Sequence, residues 1–497
     1  MYFRYKIIYY IIIKCTNLIF RRTCLFTILF GALIVYVSSD VDVTCIYEVL
    51  DGDQYGCTIE DLTYNNQNEI INVRGDHVTE KTDADVNVIS ITSQFFLVTT
   101  VPGKLFEKFS NIEEIYMFAI GLNTINVGNF NGARKLRRLD VSSNRLTLIE
   151  SGSFIDSPSL EFINLSGNRL VTIQEGAFEG AINVKEIDLQ ANRLTSVGSS
   201  FKDCPALEVL QLTNHRFASI EANTFDGMTN LQRLYLDQST QLISLNAEAF
   251  TGLINLKELS LTANSNLRDL PALVFSPLIA LEKLYMALSK FNSIEANTFD
   301  FNVNLKSISL SHSMQQFDAL TFSKLIKLEH LEMRNSDNFE NIQPELFAEN
   351  PNLRTLILYN CNITELTSDI FENMNSLEDL DLSYNTLILR DDIFEKNVNL
   401  KSLKLTRTNL ISTMNSEVLK PLTNLETLYL DFNALTTIDS TLLVANPNLV
   451  ELRLTSNQID SIQSTFLENQ LKIETLYLNS NICVDQRFIG IINGDLK

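Results

Sequence analysis

Histidine is scarce and tryptophan is absent: four of the former occur in 497 residues. His77, His215, His312 and His330 are not spaced with Cys, Asp or Glu in the way metal ligands are. The chain contains no nucleophile elbow, no glycine-rich phosphate loop and no His-Glu-x-x-His helix. No cofactor motif is legible. Asp379 and Asp381 stand two apart and share a strand face, but a solvated acidic pair accounts for them. These absences predict a protein that is not an enzyme and has neither metal nor cofactor. Beyond Asp40 there is no apolar run of bilayer-spanning length, no lipid-anchor tail and no heptad segment for coiled-coil pairing.

Cations are also in short supply. Thirty-nine Lys and Arg face sixty Asp and Glu, a formal net charge of −21. Five of the cations (Arg4, Lys6, Lys14, Arg21, Arg22) lie in the first 39 residues, and without them residues 40–497 carry −26. Such a surface repels nucleic acid and anionic lipid and favours solubility or a basic protein partner.

Those first 39 residues hold no acidic side chain. An apolar run from Leu25 to Val37 follows the paired arginines, and Val37-Ser38-Ser39 leads out to Asp40. This is the pattern of a secretory signal peptide over 1–39, the alternative being an uncleaved signal anchor. In both cases the basic flank precedes the apolar run, which places the rest of the chain outside the cytoplasm. Cys45 and Cys57 follow, 12 apart and flanked by Tyr47 and Tyr55. In a secreted chain they read as a disulfide closing a hairpin in an N-terminal cap over 40–87, the alternative being two unrelated core thiols. Alternation in Cys57–Leu62 and Ile71–Val73 predicts short strands there, and Gly75–Asp85 a loop.

What fills the remainder is one frame repeated fifteen times between Leu136 and Asn481: apolar residues at positions one, four and six, then usually Asn at position nine. Leu136, Leu139, Val141, Asn144 and Leu160, Ile163, Leu165, Asn168 are two copies, and successive copies lie 23 to 25 residues apart. A unit of that size cannot bury its own apolar face and must stack on a neighbour. Positions four and six of each copy belong to a short strand. Every copy runs in the same direction, so the strands are parallel. A Phe recurs in the returning arm, as at Phe154, Phe178, Phe225, Phe250 and Phe275, and predicts a stacked aromatic row. Asn144, Asn168, Asn192, Asn264, Asn385, Asn433, Asn457 and Asn481 form a structural ladder that satisfies main-chain groups where the strand ends. His215, Ser239, Ser289, Ser313, Ser336, Cys361 and Thr408 occupy the same slot, so the middle of the stack is expected to be less regular.

This frame resembles the extracellular leucine-rich repeat family, of the insect secreted type and of Toll-like and Slit-like ectodomains, over residues 88–483 in about 16–17 copies. The resemblance implies an α/β-type solenoid: a horseshoe with a parallel sheet on its concave face and mostly irregular convex arms. It also implies binding of a protein or microbial surface ligand. A short tail over 484–497 would follow. The family often closes with a multi-cysteine cap, whereas this chain has Cys483 alone in its last copy, which puts a normal cap in doubt. Cys204 and Cys361 read as core thiols.

Positions three, five and seven face outward in the frame. Tyr116, Tyr235, Tyr285, Tyr429 and Tyr477 recur at position five, and Tyr359 stands at position seven beside Ile357. Exposed Tyr gives large contact area with a polar tip, so these residues are the candidate ligand contacts, with Arg334 in a small basic cluster. Two glycosylation sequons begin at Asn164 and Asn362. The sequence therefore predicts a secreted binding protein, with innate immunity the leading setting. Alternatives are an adhesion or developmental signalling receptor held by an uncleaved leader, and a stoichiometric enzyme regulator. A membrane enters only if the leader is retained, and a dimer is left open.

Overall fold

A computed structural model describes residues 24–29, 32–37, 40–65, 70–93, 98–311, 316–336, 342–412, 414–463, 465–482 and 487–489. Cys15, His312, Ser313, Cys483 and most of the tail lie outside the described residues. Near the N-terminus two strands, Cys24–Leu29 and Ala32–Val37, pair antiparallel. Among the described residues no helix is long and apolar enough to cross a membrane. The chain divides into two compact units, Met1–Gln211 and Leu212–Lys497.

From Asp40 the first unit continues with a hairpin. Strand Asp40–Val49 pairs antiparallel with Tyr55–Ile59, and the Cys45–Cys57 disulfide joins them with a Cα–Cα separation of 5.4 Å. Asp40–Val49 also pairs in parallel with Ile70–Arg74. The following loop packs back so closely that a Cβ on Gly75, at φ +142°, would stand 2.3 Å from the Cys45 carbonyl oxygen; only glycine fits. The loop is tied down by Asp83, which accepts from Tyr47 Oη at 3.2 Å, contacts His77 Nε2 at 3.1 Å and pairs with Lys108 at 2.6 Å. Burial works against the Asp83 carboxylate, but Lys108, Tyr47 and His77 outweigh it and hold its pKa below the ordinary value.

Strand Tyr55–Ile59 then starts a parallel sheet through Val88–Ile91, Glu114–Tyr116, Arg138–Asp140, Phe162–Asn164, Glu186–Asp188 and Val209–Gln211. Frame position four meets itself at every step: Ile115, Leu139, Ile163, Ile187 and Leu210 lie side by side. The near-constant spacing of the copies imposes that register. In the second unit the same slot aligns Leu234, Leu259, Leu284, Ile308, Leu331, Leu356, Leu380, Leu403, Leu428, Leu452 and Leu476, and Arg487–Ile489 pairs antiparallel with the last strand.

Positions one, four and six are fully buried throughout, and the arm phenylalanines fill the space behind them. Neighbouring rings lie 5.4 to 6.5 Å apart from Phe154 to Phe201 and from Phe225 to Phe347. The ladder closes the strand ends. Asn144 Oδ1 accepts the main-chain N–H groups of Ile120, Gly121 and Leu122, while its Nδ2 donates toward the carbonyls of Met117, Val141 and Ser142. Asn168, Asn192, Asn264, Asn385, Asn433, Asn457 and Asn481 bond main-chain carbonyls in the same way. Irregularity in the middle of the second unit takes the form of longer strands. The strands Ser307–Ser311, His330–Arg334 and Thr355–Tyr359 extend to five residues, against three in most copies. Ser or Cys fills the ladder slot of these copies, but Ser239 in the same slot leaves Arg233–Tyr235 at three residues, so the slot residue alone does not set strand length.

Candidate functional site: an aromatic and guanidinium surface on the sheet

Alternation along each strand sends position four inward and leaves positions three and five half-exposed on the far face of the sheet. The expected contact residues all lie on that face and are half-buried rather than freely open, because in-register neighbours cover their flanks. Small residues in these rows, such as Ser142, Ser260 and Ser383, are buried by longer neighbours.

Tyr116 belongs to the first unit. Its hydroxyl donates to Glu114 at 2.5 Å, and burial followed by that bond pushes its pKa up to about 12. The others belong to the second unit. Tyr235 donates to Glu258 at 2.9 Å and is likewise raised to about 12. Ser260 separates Tyr235 from Tyr285 in the sheet, so those two do not stack. Further along, the structure does bring residues together. Lys404, Tyr429, Arg453 and Tyr477 occupy position five of four successive strands. The Arg453 guanidinium lies 4.2 Å from the centre of the Tyr429 ring and 4.8 Å from that of Tyr477; Lys404 approaches the Tyr429 ring at 5.7 Å. Glu451 holds the two middle members of this stack, pairing with Arg453 at 2.8 Å and accepting from Tyr429 Oη at 3.0 Å.

A second set lies one turn on. Arg334 stands over Tyr359 at 5.1 Å, Tyr359 packs on Tyr384 at 4.7 Å, and Arg407 lies 5.5 Å from Tyr384 and 5.4 Å from Phe432. Arg334 also bonds Glu332 on its own strand. Ile357 is half-buried between Glu332 and Asp381 in the register. Tyr384, Arg407 and Phe432 were not legible as site residues. They occupy position eight, where the main chain turns left-handed, with φ of 61°, 54° and 57°. Most copies place Ser, Gly, Ala or Asn there. The run of Tyr, Arg and Phe in three successive copies was the available signal.

Of the two sequons, Asn164 is half-buried with its amide donating to Asp140 at 3.0 Å, and Asn362 is exposed. Cys204 and Cys361 are buried thiols; Cys361 Sγ donates to the Met333 carbonyl at 3.3 Å, and burial pushes the Cys204 pKa up to about 12. Among the described residues no group of three or more His, Cys, Asp and Glu is placed to hold a metal ion.

The model of BspA-type leucine-rich repeat regions matches this chain six times, in overlapping stretches that together run from residue 55 to residue 486. The chain belongs to this leucine-rich repeat family. Mouse Podocan is 36% identical over 107 residues, which is 21% of this chain and 17% of Podocan. A chain in a structure of the Toll–Spatzle complex of Drosophila, in glycosylated form, superposes with a TM-score of 0.72 at 18% identity, covering 93% of this chain and 62% of that one. A second structure of that complex gives a TM-score of 0.52, also at 18% identity, over 92% of this chain and 54% of the other. This leucine-rich repeat chain therefore spans under a fifth of Podocan and less than two thirds of those solved chains. At such identity the superpositions show the fold: a solenoid of leucine-rich repeats with a parallel sheet.

Proposed function

We propose that this leucine-rich repeat protein acts outside the cell by binding, without turnover, and that it takes a protein or microbial surface ligand on the sheet face of its second unit. The stacked row Lys404–Tyr429–Arg453–Tyr477 carries the reading. The Arg453 guanidinium, held between two rings and paired with Glu451, is already ordered, so little side-chain entropy remains to be lost on binding. Burial raises the Tyr429 pKa above its ordinary 10, so its hydroxyl stays a neutral donor, here to Glu451. Together they suit a ligand bearing carboxylates and flat apolar groups. The Cys45–Cys57 disulfide and the leader support an oxidising, extracellular setting. A setting in innate immunity is supported by the likeness to a chain of the Toll–Spatzle complex, which is described as a hub in Drosophila development and innate immunity. Any sugar would occupy Asn362 in preference to Asn164, whose amide is engaged in the sheet.

Two measurements test this. N-terminal sequencing of protein recovered from culture medium should begin at Asp40; an intact leader would favour the membrane-held alternative. Native extracellular fluid passed over immobilised protein should yield a bound ligand that Tyr429→Ala with Arg453→Ala releases, by about 2 kcal/mol or more in affinity, while Tyr116→Ala leaves it bound. Equal retention by both variants would remove this surface from the binding mechanism.

A further inference from the structure

One edge of the sheet in the second unit carries an exposed aliphatic row. Ile254, Ile279, Val303 and Ile326 stand two residues before position one of four successive copies and are 47%, 53%, 45% and 54% exposed. The row ends at Thr229 on one side and Pro351 on the other. Four neighbouring aliphatics left open in register form a continuous strip, unlike the scattered apolar residues of an ordinary surface.

Beside it runs a row of alternating charge. Position two of the same copies reads Lys257, Glu282, Lys306, Glu329, and main-chain bonds of 2.8 to 2.9 Å join each to the next. The two rows share one edge. Asn304, between them in sequence, donates to the Ile279 carbonyl at 3.0 Å and accepts from Lys327 at 2.7 Å, and Lys306 pairs with Glu282 at 2.8 Å.

We infer that this edge is a self-association surface whose occupant is a second copy of the chain, related by a twofold axis between Ile279 and Val303. Such an axis reverses the row. It lays Ile279 on the partner's Val303 and Ile254 on the partner's Ile326. The same reversal lays Glu282 on the partner's Lys306 and Lys257 on the partner's Glu329, so every charge of that row meets its opposite, while Lys327 falls on the partner's Asn255. The aliphatic strip and the charge pattern are thus centred on one point and complementary to their own inverse, which is what an isologous dimer requires. A ligand of uniform charge would meet as many repulsive as attractive groups on this edge. The small side chain of Ala280 leaves room beside the axis.

The test is sedimentation velocity on the purified protein and four variants. Wild type should be a concentration-dependent dimer, and Ile279→Asp a monomer. Lys257→Glu and Glu329→Lys should each weaken the dimer roughly tenfold or more, because each puts like charges in contact twice per dimer. The double variant Lys257→Glu/Glu329→Lys should restore it. Within one chain that double variant places Glu beside Glu282 and Lys beside Lys306, so recovery can come only from pairing between copies. Circular dichroism confirms that each variant is folded. A monomeric wild type, a dimer indifferent to Ile279→Asp, or a double variant as weak as the singles would overturn the inference.

Discussion

Asp237 shows how a single side chain on the open face serves the fold at a cost. Its Oδ1 accepts from Ser260 Oγ at 2.5 Å and from the Thr262 N–H at 2.7 Å, linking two copies. Burial raises its pKa above the ordinary 3.8 and outweighs both bonds. Asp431 repeats the link to the next copy, accepting from the Thr455 N–H at 2.8 Å, and burial raises its pKa likewise; Asp188, which accepts from Gln190 of its own copy, shares the direction and first cause. A carboxyl whose folded pKa is raised contributes stability below its unfolded value and loses it as pH rises through the folded one. At neutral pH the buried carboxylate is therefore a liability. Asp237→Asn keeps an oxygen for both donors and should melt higher than wild type at neutral pH, with the gap closing as pH falls toward 3.8 and below. Melting curves of the two proteins from about pH 7 to about pH 3 measure this. A gap that is constant across the range would mean that charge burial is not the cause.

At the scale of the element, strand and arm were unequally legible. The strand frame was readable because its apolar spacing recurs in every copy, and with it the ladder and the parallel register. The arm was readable only through its phenylalanines. Its second row of amides went unseen: Asn302, Asn350, Asn397 and Asn446 are buried and each donates to two carbonyls of the preceding copy, as Asn302 does to Phe275 and Leu278. Arm length varies by a residue or two, which blurs such a row when copies are aligned on their strands. Position eight is illegible for another reason: its left-handed backbone, which brings Tyr384 against Tyr359 and Arg407 against Tyr384 and Phe432, is not written in an apolar pattern. The ring row itself makes a quantitative contrast possible. Phe275 is fully buried between Phe250 and Phe299, whereas Phe301 is 53% exposed. Phe275→Ala should cost about 3–5 kcal/mol in denaturant unfolding and Phe301→Ala no more than about 0.5 kcal/mol. Equal losses would mean that burial in the ring row contributes no more to stability than an exposed position does.

For the molecule as a whole, stacking by nearest neighbours implies that damage stays local. Each copy contacts the one before and the one after, so its stability is set by those two interfaces. The N-terminal hairpin differs in having a covalent link, since Cys45–Cys57 closes a loop of 12 residues. A loop of that size is worth about 3 kcal/mol through the entropy it removes from the opened chain. Reduction should therefore speed amide exchange in Asp40–Val49 and Tyr55–Ile59 by about two orders of magnitude. Acceleration should fade through Val88–Ile91 and Glu114–Tyr116, which pair in series with that hairpin. Strands of the second unit, such as Thr427–Tyr429 and Glu451–Arg453, should exchange at an unchanged rate. Hydrogen exchange with and without a thiol-free reductant distinguishes the cases. Uniform acceleration across all strands would show one cooperative body, in which loss of the cap would also disturb the stacked row at Tyr429 and Arg453 and make ligand capture sensitive to redox conditions. Graded acceleration confined to the N-terminal strands would leave that surface intact in the reduced protein.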